Sequence, residues 1–72
     1  MDPRFDPETI RARVAARPAS ETLQESYAAA AYEAALEAQR AGAPSSVRAG
    51  ILTAYAQAWE AAEAELDALT RG

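Results

Sequence analysis

Large apolar residues recur at intervals of three and four along most of this chain, which is a helical period. Three segments carry the pattern, separated by Pro18 and by the Gly42–Pro44 stretch. In the first, Asp6 suits an N-cap and Pro7 the first helical position, where a missing N–H costs nothing. Phe5 and Ile10 then stand five apart, at the N′ and N4 positions of a hydrophobic staple. A first helix is expected from about Pro7 to Arg17, stopped by Pro18. A second helix is expected from near Ser20, with Glu21 in its first turn, to about Ala41. Gly42 is placed to be its left-handed cap, and Pro44 forbids continuation. Ser45 or Ser46 is the expected cap of a third helix running from about residue 46 to Thr70, before Gly72.

The second and third helices would span roughly 33 and 37 Å at 1.5 Å per residue. The short connection between them makes an antiparallel hairpin. The expected fold is therefore all-α, a single helical domain over residues 1–72. It is a three-helix bundle in which a short first helix packs on a long hairpin.

The faces of the two long helices differ. In the third, Leu52, Tyr55, Trp59, Ala62, Leu66 and Leu69 form a heptad-like seam, widened by Val47, Ile51 and Ala58. In the second, Leu23, Tyr27, Ala30 and Ala34 share one side at 100° per residue, while Tyr32 and Leu36 point well away. A helix apolar over so much of its circumference is usually buried on more than one side. Folding at residues 43–44 brings Tyr27 level with Trp59, Tyr32 with Tyr55, and Leu36 with Ile51 and Leu52.

Composition explains why chemistry is hard to find here. Of 72 residues, 21 are Ala, and Cys, His and Lys are absent. The chain thus has no thiol nucleophile, no imidazole or thiolate metal ligand, no Schiff-base amine and no P-loop lysine. Only 15 larger apolar or aromatic residues remain to build a core. A monomer of this size is marginal without disulfides, so extra burial from self-association or a partner is expected.

The net charge of −4 argues against general nucleic-acid binding, which needs a cationic surface. The first twenty residues carry +1 and the rest −5, so a basic arm is conceivable. Pairing of Arg4, Arg11, Arg13 and Arg17 with the acidic hairpin, or with solvent, is the plainer reading. No apolar run reaches membrane-spanning length and no signal-peptide pattern opens the chain. The expectation is a soluble, cytoplasmic protein without a membrane or nucleic-acid partner.

Each remaining feature has two readings. Tyr27, Tyr32, Leu36, Tyr55 and Trp59 are the interface candidates. Their aromatic members suit hot spots or a ligand pocket, but equally a core whose polar tips reach water. Glu33, Glu37, Glu60 and Glu63 suggest a carboxylate-bridged metal site, yet such bundles also want Glu-x-x-His, and there is no His. A solvated acidic face is preferred, with no metal, cofactor or catalytic residue assigned. Arg48, in the first turn of the third helix, opposes the helix dipole and is a possible interface residue. Gly50, inside that helix, costs roughly 1 kcal/mol relative to Ala, and close packing against another backbone is the expected reason.

No natural family is recognised. The segment Asp6-Pro7-Glu8-Thr9-Ile10, the Ala-Gly-Ala-Pro-Ser-Ser turn at 41–46 and the run Ala61-Ala62-Glu63-Ala64-Glu65-Leu66 give a chain that resembles a computationally designed helical bundle. Cap, staple, turn and propensity agree, which is the design criterion. The missing Lys and the interior Gly50 depart from that style. The resemblance implies a non-catalytic bundle that assembles with itself, a homo-oligomer, or binds a chosen target. The alternative is a small bacterial or phage adaptor or inhibitor that binds another protein through a helical face. A ligand-binding bundle ranks behind both.

Overall fold

The computed structural model describes residues 3–71, Pro3 by its backbone alone; the calls on Met1 and Gly72 lie outside them. A single 3-10 turn at Pro3–Phe5 leads into α1 (Pro7–Ala15), α2 (Leu23–Arg40) and α3 (Ser45–Arg71). The fold is all-α: short α1 followed by long α2 and α3, which pack antiparallel.

The start of α1 follows from its sequence. Asp6 is extended, and its carboxylate accepts the Glu8 N–H at 3.0 Å. Pro7 takes the first helical position. Phe5 and Ile10 join one apolar cluster, in which Ile10 is the buried residue that α1 contributes. The helix stops at Ala15, two residues before Arg17, because Pro18 forces the chain out of helix ahead of itself.

α2 begins at Leu23 rather than near Ser20. Thr22 is its cap, through a reciprocal capping box. The Thr22 hydroxyl accepts the Glu25 N–H at 3.1 Å, and the Glu25 carboxylate accepts the Thr22 N–H at 3.2 Å. Glu21 therefore lies in the loop and not in a first turn.

The turn between α2 and α3 is a Schellman motif. Gly42 has φ +80°, its N–H donates to the Gln39 carbonyl at 3.0 Å, and the Ala43 N–H donates to Ala38 at 2.9 Å. The Pro44 carbonyl then accepts the Val47 N–H at 3.0 Å. Pro44 thus holds the cap position expected of Ser45 or Ser46, and both serines fall within the first turn of α3.

The core is narrow. Ala30, Ala34 and Ala38 line the inner face of α2 at a spacing of four, each with no exposed surface. Ile51 and Tyr55 of α3 fill the space opposite, and Ile10 closes it from α1. α3 has 27 residues against 18 in α2, so it outruns its partner by about 13 Å at 1.5 Å per residue. From Glu63 to Arg71 every residue is exposed. The molecule is a slab of 45 × 24 × 16 Å.

Candidate functional site

The five candidate residues separate into different environments. Tyr27 and Trp59 come together, as their levels along the hairpin predict, with ring centroids 5.7 Å apart and planes tilted by 52°. Both are half-buried. Tyr55 is only 2% exposed and belongs to the core. Tyr32 is level with it in sequence but turned outward, 64% exposed. Leu36 is half-buried.

A shallow groove of about 230 Å³ runs along the seam of α2 and α3, with Gln24 and Ala28 on one side and Leu52, Ala56 and Trp59 on the other. A second groove, of about 270 Å³, lies between the start of α1 and α3, beside Phe5, Ile10, Ala58 and Glu65. Tyr27 borders both. The groove beside α1 also carries the ionisable side chains of Arg11 and Glu65.

The α3 seam is corrected by this geometry. Ile51, Tyr55 and Ala58 belong to or pack on the core. Leu52, Leu66 and Leu69, expected in the same buried seam, are 50%, 49% and 78% exposed. Leu69 stands on the same side as Ile51, five turns further on, so it and Leu66 are exposed because α3 runs on beyond the end of α2, whereas Leu52 is exposed because it lies about 100° round the helix from Ile51. Leu52, Trp59 and Leu66 recur every seven residues in a stripe beside Ile51, Tyr55 and Ala58, and of these Trp59 meets Tyr27 of α2.

The charged residues form a clasp on the α1 side. Arg13 pairs with Glu37, and Arg17 pairs with Glu33 and, at 2.7 and 2.9 Å, with both oxygens of Glu21. The Ser26 hydroxyl donates to Glu21 at 3.3 Å. The hydrogen bond from Arg17 holds the Glu21 carboxyl below its ordinary pKa, and Arg13 does the same for Glu37. Arg13 and Arg17 are therefore bound to the acidic hairpin, as their charges suggest. Glu33 and Glu37 are held by arginines, and no group of three or more acidic side chains placed to hold a metal ion occurs among the described residues.

Two polar atoms stand out. The Tyr55 hydroxyl is buried without a hydrogen-bond partner. Burial pushes its pKa up; Arg13 opposes the shift, and Glu37 and Glu33 add to it. Arg48 is half-buried, and its Nε is likewise buried with no partner.

Gly50 meets a close neighbour, though not the backbone that was expected. A Cβ there would lie 3.0 and 3.1 Å from two ring carbons of Phe5. The glycine makes room for the staple residue. No helix among the described residues is long and apolar enough to cross a membrane. No protein-family model matches the sequence, and neither curated proteins nor solved structures provide a match.

Proposed function

We propose that this chain is a non-catalytic helical bundle whose activity is self-association into a homo-oligomer. One observation carries the reading: the chain leaves several of its large apolar side chains on its surface. Tyr32, Leu52, Leu66 and Leu69 are each at least half exposed or nearly so. The total accessible surface is 4951 Å², against about 4,300 Å² expected for a compact monomer of this mass. Single exposed leucines are ordinary, but so many large apolar side chains left in water by a chain with so small a core support an interaction surface. A second copy is the simplest cover, since symmetric homo-oligomers are the common outcome.

The absence of Cys, His and Lys supports the non-catalytic half of the reading. A designed origin is also part of the proposal. Its support is the agreement of the Asp6 cap, the Thr22 capping box and the Gly42 turn with the helices they bound.

Light scattering at high micromolar concentration tests the assembly. The expected result is a mass of two chains or more, with a melting temperature that rises with protein concentration. A monomeric mass with a concentration-independent melt overturns it, and the exposed face then belongs to a different protein.

A further inference from the structure

The core of this protein encloses a hydroxyl that it does not satisfy. Tyr55 stands on α3 and is 2% exposed, and its oxygen is buried without a hydrogen-bond partner. Its ring belongs to the cluster that Ile10 and Val14 of α1 complete. The charged groups that act on the hydroxyl are Arg13 of α1 and Glu37 and Glu33 of α2. The oxygen therefore lies on the clasp side of the core, where α1 meets α2. A buried hydroxyl without a partner forgoes the hydrogen bonds that water gives it outside.

The ties that keep α1 docked are light. Ile10 is its buried residue, and Phe5, just ahead of it, sits over Gly50. Arg13 reaches Glu37 and Arg17 reaches Glu33, but both glutamate side chains are 52% exposed, and ion pairs open to solvent add little. The two-oxygen bond from Arg17 goes to Glu21 in the connecting loop, so it closes the loop without reaching α2. α1 has nine residues, fewer than an isolated helix needs to persist in water. It is thus helical when docked and unfolded when released. The hairpin has its own supports. Its turn is capped at Gly42, Ala30, Ala34 and Ala38 cluster with Ile51, and Tyr27 meets Trp59.

We propose that α1 is a strap that lifts from the hairpin as a unit, and that the Tyr55 hydroxyl sets how readily it lifts. While α1 is docked, Ile10 is buried and the hydroxyl is stranded. When α1 lifts, α2 and α3 stay paired, the hydroxyl reaches water, and the inner hairpin face that Ile10 closes is uncovered. The device belongs to one chain and does not depend on self-association.

Amide hydrogen exchange of the full chain and of Tyr55→Phe tests both parts, read where exchange reports the opening equilibrium and at concentrations low enough to exclude assembly. Phe keeps the ring and removes only the hydroxyl, so the packing of the core is retained. In the parent, amides over residues 11–15 should be at least about tenfold less protected than those over residues 30–38. Equal protection means that the two segments open only together, and overturns the strap. In Tyr55→Phe the amides over residues 11–15 should gain about tenfold in protection, because the docked state no longer strands a hydroxyl. A gain confined to α2 and α3 means that the hydroxyl stays covered when α1 lifts. Unchanged or weaker protection of α1 means that docking does not strand it. Either result overturns the role of Tyr55.

Discussion

α1 and the last turns of α3 are both appendages to the hairpin, and each has about nine residues. α1 is poorer in hydrophobic material, with Ile10 as its buried residue, yet it is tied down. Its start is capped by Asp6, its staple residue sits over Gly50, and Arg13 and the following Arg17 are bound to α2. The end of α3 carries Leu66 and Leu69 and leaves both in water. Attachment in this protein depends on what lies opposite a segment, rather than on how apolar the segment is. α1 has a matched surface within its own chain, and the end of α3 has none.

The largest test of this contrast removes the apolar anchor of α1. Ile10→Ala should cost about 2–5 kcal/mol, the range for truncating a buried aliphatic side chain, and denaturant unfolding monitored by Trp59 fluorescence measures it. A loss near zero would mean that the ion pairs alone hold α1. Next, Asp6→Ala should cost about 0.5–2 kcal/mol through the lost cap, and amide exchange should quicken over residues 7–15 before it does in the hairpin.

Acid should act on the same helix. Glu21 and Glu37 have carboxyl pKa values held below the ordinary range by Arg17 and Arg13. Their contribution is therefore present above the unfolded carboxyl pKa and is lost as pH falls through the lowered values. Amide exchange of α1 should accelerate on acidification below about pH 4.5, ahead of that of α2, and equal acceleration would show that the clasp is not specific to α1. The smallest effect is expected at the other appendage. Leu69→Ser should change the stability of the isolated chain by no more than about 0.5 kcal/mol, read at concentrations low enough to exclude assembly.

Local rules made much of this fold legible. The Asp6-Pro7 start, the Phe5/Ile10 staple and the Gly42-Pro44 turn each act within a few residues, and each is found in place. The capping-box spacing of Thr22 and Glu25 also marks the beginning of α2, whereas Glu21, the expected first-turn acid, pairs with Arg17 across the loop. The α3 faces were not legible from periodicity alone. Ile51 and Leu52 are about 100° apart on the helix, and an inner α2 face made of alanines accepts large side chains from either stripe. The choice depends on where α1 brings Ile10, which is a tertiary fact. Tyr27 and Trp59 meet because chain level along a tight hairpin fixes them, whereas Tyr32 has the level but the wrong rotation.

The alanine row of α2 has a consequence for how this protein tolerates change. In most small domains a core is damaged by deleting atoms, because large side chains leave voids behind. Ala30, Ala34 and Ala38 have almost nothing to delete, and they are fully enclosed. Damage there comes from growth. Each added methyl has to separate two helix axes, and overpacking of this kind costs about 1–3 kcal/mol. Along α2 the protein is therefore brittle toward enlargement, and a random substitution, which nearly always enlarges alanine, meets its least forgiving surface at its smallest residues.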